Sequence, residues 1–162
     1  MFVAESMVAL RAGEIHDLNS AALLLATVRR ESFPAIAPSI HDDEIELAPY
    51  LADLLQRGAE VMLAEVAGDL AGVMVVSGTV IAQLAVAGNY QGQGIGRRLI
   101  AHALETSDEP LTLWTFQSNV AAQGFYRHLG FTEVARTSGD NEEGEPDVCF
   151  QSPTLRLGLT KG

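Results

Sequence analysis

The chain reads as a mixed α/β fold built on one sheet, and three observations carry that reading. Apolar residues recur every second position in some stretches and every third or fourth in others, and the two patterns alternate along the chain. No internal repeat or low-complexity linker divides it. A glycine-rich stretch, "YQGQGIGRR" at 90–98, separates an apolar run from an amphipathic one, as a strand, loop and helix would.

Residues 6–13, "SMVALRAG", alternate as a strand does. From His16 to Glu31, the residues Leu18, Ala22, Leu25 and Val28 stand at helical spacing, and Phe33-Pro34 and Pro38 then break the chain. "DDEIELAPYLADLLQRG" opens with acids that suit a helix N-terminus and stops at Gly58, and Pro49 is expected to split or kink it. Residues 60–78 hold two apolar runs joined at Gly68-Asp69, a hairpin pattern. "TVIAQLAV" (79–86) is nearly all apolar and predicts a buried strand.

After the glycine loop, Ile95, Leu99 and Ala103 mark one face of a helix that ends near Ser107. "LTLWTF" (111–116) predicts a strand, and 119–130 a helix with Ser118 or Asn119 as its cap and Gly130 at its stop. Residues 131–138 and 147–159 predict two strands around an acidic loop. The order is strand, two helices, three strands, helix, strand, helix, two strands, which makes seven strands.

A chain of 162 residues fits a single domain spanning 1–162 and buries roughly 68–70% of its unfolded surface. The lone cysteine, Cys149, forms no internal disulfide and reads as a buried strand residue, which suits a reducing compartment. The longest apolar stretch, "AALLLATV" at 21–28, is too short to span a bilayer, and Glu14 and Asp17 precede it where a signal peptide wants positive charge. A cytoplasmic location without membrane contact is expected. A net charge of -11 repels a phosphate backbone over long range, so nucleic acid is not an expected partner.

The loop at 90–98 points to a different phosphate ligand. A strand ending at Val86 and a helix beginning near Ile95 aim several backbone N–H groups at one point beyond the helix N-terminus, which attracts anions. Glycines at 92, 94 and 96 let that backbone approach closely. A Walker loop is excluded because Arg97-Arg98 stand where Lys and Ser or Thr are needed. A dinucleotide fingerprint is disfavoured by the spacing of the glycines and by a preceding strand that is the fourth rather than the first.

The segment "LAVAGNYQGQGIGRRLI" resembles the coenzyme A loop of the GCN5-related N-acetyltransferases (GNAT), whose pattern is Gln or Arg, two residues, Gly, one residue, then Gly or Ala, met here by Gln91, Gly94 and Gly96. Asn119, Ala122, Phe125, Tyr126 and then "LGF" at 129–131 stand as in that family's next helix and following strand. The element order from about residue 7 to 159 agrees as well, although the first fifty residues match only in outline. Gly88-Asn89 replace a turn that often holds proline, and Gly124 in the second motif helix suggests a close approach of coenzyme or strand.

The resemblance implies the GNAT fold, one mixed and mostly antiparallel sheet of about seven strands flanked by helices. It implies transfer of an acetyl group from acetyl-CoA directly to an amine. It places the pantetheine arm against the backbone of Leu84, Ala85 and Val86, and the pyrophosphate on the amides of Gln91, Gly92, Gln93, Gly94, Ile95, Gly96 and Arg97. Tyr126 takes the position of a tyrosine that donates a proton to the departing thiolate; on spacing alone it reads as a core aromatic beside Phe125. Asn119 is either a helix cap, a contact to the pantetheine region, or both. The alternative within the fold is a module that binds acyl-CoA without turnover.

The matched motifs supply no general base. Glu31 and Glu65 are the candidates, each with a competing reading as an ordinary surface or edge residue. His16 reads as a helix cap, His41 as a loop residue, and His102 and His128 as helix-surface residues; no ligand cluster forms and no metal is expected. The run "GDNEEGEPD" (139–147) reads either as a solvated loop or as a border of the acceptor site that favours a cationic small-molecule or peptide amine. The length and apolar content of the last strand, 147–159, suggest an edge that a homodimer covers.

Overall fold

The computed structural model describes residues 7–32, 43–141 and 144–153. Its elements follow the expected order: β1 (Val8–Ala12), α1 (Leu18–Ser32), α2 (Glu44–Gln56), β2 (Glu60–Val66), β3 (Asp69–Ser77), β4 (Val80–Val86), α3 (Ile95–Thr106), β5 (Thr112–Phe116), α4 (Val120–His128), β6 (Thr132–Arg136) and β7 (Asp147–Gln151). The seven strands form one sheet in the order β1-β2-β3-β4-β5-β7-β6. Every neighbouring pair is antiparallel except β4 and β5.

Each face of the sheet has its own core. On one, α3 and α4 set Ile95, Leu99, Ile100 and Tyr126 against Met74, Leu113, Val148 and Phe150. On the other, α1 and α2 set Leu18, Leu25, Leu47 and Leu51 against Leu63, Val73, Val75 and Ala85. The alternation of β4 is broken once along its length, since Ile81 belongs to the first core and Ala85, four residues on, to the second. Gly72 allows α3 to sit close, because a Cβ there would stand 3.1 Å from Ile95 Cγ2 and 3.2 Å from Leu99 Cδ1.

Several sequence expectations change. Pro49 neither splits nor ends α2, which runs unbroken as one helix capped by Asp43. Leu47 and Leu51, both fully buried, flank the proline. Burial of about 1.5–3 kcal/mol for each leucine offsets the roughly 3 kcal/mol that an interior proline costs. The hairpin turn lies one residue earlier than expected, at Ala67-Gly68, both at positive φ (52° and 86°) as a tight two-residue turn requires. His16 is not the cap of its turn; Glu14 and Asp17 reciprocally cap it, and Asp17 also pairs with Arg11 at 2.8 Å. That guanidinium and the Glu14 amide hold the Asp17 carboxyl well below the usual carboxylate range.

Strand β7 is not an edge. It lies between β5 and β6, with Trp114 opposite Cys149 on one side and Ala135 opposite Cys149 on the other. The apolar run that suggested an uncovered edge is instead the signature of a strand paired on both sides, so the dimer expected through it loses its basis. The edges of the described sheet are β1 and β6. Cys149 is buried, as expected, and burial pushes its thiol pKa up. Residues 154–159 of the expected last strand, the break at Phe33-Pro34 and Pro38, and His41 lie outside the described residues. No helix among the described residues is long and apolar enough to cross a membrane.

Candidate active site

The site begins where the sheet comes apart. Strands β4 and β5 run parallel but share one pair, Val80 with Thr112, and then diverge. A β-bulge on β4 lies just past that last shared pair: Ile81 pairs with Val76 and Gln83 with Val75, leaving Ala82 as the extra residue. The gap opens into a cleft of about 460 Å³ lined by β4 from Ile81 to Ala85, β5 from Leu113 to Phe116, and side chains of α1, α2, α4 and β7. This corrects the expectation for 79–86. Only Ile81 and Ala85 of that strand are buried, because the apolar residues line a cleft rather than a closed core.

The register decides which β4 peptide groups face the gap. Ala87 N–H donates to the Ala71 carbonyl at 2.8 Å, so the residues bonded to β3 alternate back from Ala87 to Ala85, which pairs with Val73. The Ala85 peptide is thus spent inside the sheet, contrary to the sequence expectation. Leu84 and Val86 direct theirs to the open side. The Val86 carbonyl accepts from Gln91 Nε2 at 2.9 Å, which leaves the Val86 N–H and both groups of Leu84 facing the gap.

Beyond Val86, Gly88–Tyr90 form a 3₁₀ turn closed by Gln91 N–H donating to the Gly88 carbonyl at 3.4 Å. Gln91 is therefore a brace of the loop through both its amide and its side chain, and its amide is not one of the open donors. The amides of Gly92, Gln93, Gly94, Ile95, Gly96 and Arg97 have no acceptor among the described residues. Gly92 and Gly94 hold positive φ of 78° and 85°, a conformation that turns successive N–H groups outward and suits only glycine at low cost. Gly96 lies where α3 meets α4, and a Cβ there would stand 3.4 Å from Phe125 Cζ, an ordinary contact distance, so packing alone does not require glycine at this position. Gln93 folds its side chain back toward the Asn89 carbonyl at 3.5 Å, so the amide is what it offers outward.

The two arginines diverge. Arg98 donates to the Val8 carbonyl at 3.1 Å and ties α3 to β1, whereas Arg97 is exposed and has no partner among the described residues. Replacing Arg98 by Ala is expected to lower the melting temperature and leave phosphate affinity nearly unchanged. Replacing Arg97 by Ala is expected to weaken binding of a coenzyme pyrophosphate about three- to tenfold, with a shallower salt dependence, at unchanged melting temperature. Calorimetric titration at two ionic strengths beside thermal melts checks the pair.

On α4, Asn119 is the cap, its side chain accepting from Ala122 N–H at 3.1 Å, and it lines the cleft as well. The Tyr126 ring packs edge-on to Phe125 at 5.2 Å between centroids and lies 5.7 Å from Phe131 and 6.2 Å from Phe150. It is 9% exposed, lines the cleft, and its hydroxyl has no hydrogen-bond partner among the described residues. Burial pushes its pKa up to about 12. A Cβ at Gly124 would meet no protein atom within 4 Å, so no strand approaches there.

Neither base candidate enters the cleft. Glu65 pairs with Arg11 at 3.2 Å on β2, two strands from the gap. Glu31, at the end of α1, lies near Gly88 on the outer side of the loop. His16 and His128 are exposed, and His102 lies half-buried on α3, 3.6 Å from Glu60. Among the described residues no three His, Cys, Asp or Glu side chains cluster as metal ligands would. Sequence reasoning passed over Arg29, Tyr50, Trp114 and Phe116, and singled out Asp147 only as the last carboxylate of the acidic run 139–147; all five line the cleft. One signal was legible: Trp114 and Phe116 alternate on the strand after the first motif helix.

Residues 57–133 match the family model described as an acetyltransferase (GNAT) domain. The peptidyl-lysine N-acetyltransferase YjaB of Salmonella typhimurium is 36% identical over 70 residues, 43% of this chain and 48% of that protein, so the match spans about half the length of this relative. The solution structure of apo-form YjaB from Escherichia coli is similar with a TM-score of 0.67 and 22% identity, covering 89% of this chain and 96% of that one. A variant of the spermidine N-acetyltransferase SpeG from Vibrio cholerae is similar with a TM-score of 0.68 and 19% identity, covering 91% and 94%. Both structural likenesses speak to the fold. The segment from the end of α2 through the glycine loop, the parted strands and α4 to the start of β6 thus matches the GNAT acetyltransferase domain by sequence, and the chain as a whole shares the fold of these solved acetyltransferases.

Proposed function

We propose that the chain transfers an acetyl group from acetyl-CoA directly to the nitrogen of an amine. One observation carries the reading: β4 and β5 part after a single pair, and the opening lies between a row of unspent loop amides and the unpartnered hydroxyl of Tyr126. The relatives named for peptidyl-lysine and for spermidine both act on amines. Acetyl-CoA supplies the thioester; the rest falls to the chain.

The amides of Gly92 to Arg97, with the partial positive charge of the α3 N-terminus, hold the pyrophosphate. The Leu84 carbonyl and the Val86 N–H take the pantetheine amides as a strand partner would, and Asn119 borders the same arm. As the amine nitrogen bonds to the carbonyl carbon, the carbon–sulfur bond breaks. Leu84 N–H, unpaired and fixed before the reaction, stabilises the charge that develops on the carbonyl oxygen. The proton shed by nitrogen passes to water in the cleft, and the Tyr126 hydroxyl donates to the departing sulfur.

The test mixes the protein with acetyl-CoA and a panel of primary amines and follows free thiol. Thiol release that depends on the amine supports transfer. Calorimetric binding of acetyl-CoA with no thiol release for any amine identifies a binding module of the same fold instead. Failure to bind at millimolar coenzyme A overturns both.

A further inference from the structure

The acetyl-transfer reading leaves one wall of the cleft without a role. On the sheet face toward α1 and α2, β5 presents Trp114 and Phe116, and β7 presents Asp147 directly opposite Phe116. Asp147 lies in the part of the chain beyond the matched domain segment, which ends at residue 133. Its carboxylate is fixed from one side: Oδ1 accepts from the Thr137 hydroxyl at 2.5 Å. Its backbone is fixed too, the carbonyl accepting from Thr137 N–H at 3.0 Å and Gln117 Nε2 at 3.1 Å. Oδ2 has no partner among the described residues.

A half-buried carboxylate oriented through one oxygen and open at the other is a receptor for a cationic donor. Trp114 beside it is 47% exposed, a large aromatic surface turned into a cleft rather than a core. Such a face suits an alkyl stem or an ammonium. The same wall already accommodates one cation, the Arg29 guanidinium, 5.0 Å from the centre of the Phe116 ring.

The chemistry of transfer selects which cation the carboxylate takes. The reacting nitrogen must lose its proton before it attacks, and a carboxylate beside it favours the protonated form. In the sheet, β5 separates β7 from the gap where transfer occurs. A carboxylate displaced by one strand holds a second charge without penalising the first. We propose that Asp147, with Trp114, binds a second, non-reacting cationic group of the acceptor, so that the preferred substrates are amines carrying an additional positive charge. This rests on the acetyl-transfer reading and deepens it.

Three acceptors of matched length test it: 1,5-diaminopentane, pentylamine and 5-aminopentanoate, compared by kcat/KM from thiol release. The parent protein is expected to prefer the diamine over pentylamine by about tenfold, and the zwitterion to be the poorest. Asp147→Asn, which keeps the side-chain shape, is expected to bring the diamine-to-pentylamine ratio close to one. Asp147→Glu retains part of the preference and shows that charge rather than shape carries it. A parent ratio near one, or an Asp147→Asn variant that slows all three acceptors by one common factor, overturns the proposal while leaving acetyl transfer standing. Trp114 is the only tryptophan, so its fluorescence reports amine binding without turnover. If no acceptor releases thiol, the transferase reading fails, and the diamine titration decides the Asp147 site by itself: binding weakened about tenfold in Asp147→Asn supports it, and equal binding overturns it.

Discussion

Replacing Tyr126 by Phe is expected to lower kcat for acetyl transfer by about 10²-fold while the affinity for acetyl-CoA changes little. The ring packs among Phe125, Phe131 and Phe150, an environment that accepts phenylalanine without rearrangement, so the substitution removes one oxygen and nothing else. That oxygen is the unpartnered hydroxyl at the cleft. With its pKa pushed up to about 12 by burial, the hydroxyl is present as a donor at every physiological pH, and no loss of rate between pH 6 and about 10 is expected from its ionisation. The same shift has a stability consequence of fixed sign. The unfolded phenol ionises near pH 10 and the folded one near 12, so the contribution is whole below pH 10 and is lost as pH rises through about 12. Thermal melts across that window should fall more steeply for the parent than for Tyr126→Phe. Unchanged turnover together with identical alkaline melts would return Tyr126 to the status of a core aromatic.

Phe150→Ala is expected to destabilise the fold by about 3–5 kcal/mol, seen as a lower denaturant midpoint at unchanged slope. Phe150 is fully buried on β7, opposite Leu113 of β5 and Glu133 of β6, where it fills the core under α4. Its ring lies 6.2 Å from that of Tyr126, and the Arg127 guanidinium covers it at 5.1 Å. No surface loop can collapse into the space it leaves, because the position is inside the sheet and bounded on both sides. Against a total stability of about 5–15 kcal/mol the loss is a large fraction, so activity at 37 °C should fall with the folded population as well as with the displaced Tyr126 ring. A cost below about 1 kcal/mol would mean that β7 is not a central strand.

The elements that position the loop were legible in sequence because each is encoded within a few residues. Ile95, Leu99 and Ala103 announce α3 by spacing alone, Asn119 announces the cap of α4, and Gly92 and Gly94 announce a backbone that only glycine adopts easily. What the glycines do was legible in kind but not one by one. Gly96 proved to sit where a side-chain carbon would fit, and Gln91 to be a brace rather than an open amide. Glu65 was a reasonable base candidate until its partner, Arg11, arrived from a strand more than fifty residues away.

The order and type of the secondary elements, the anion-seeking loop and the tyrosine of the second motif helix were determined by the sequence itself, through periodicity, capping and the conformational range of glycine. The tertiary structure alone decided that β7 enters between β5 and β6, that a bulge at Ala82 lies just past the last pair of β4 with β5, and that Asp147 comes to stand across from Phe116 in the opened cleft. The physical reason is that periodicity reports which face of a strand is apolar but not which strand lies beside it. Strand neighbours are chosen by contacts between distant segments, and a gap in a sheet is the absence of such contacts.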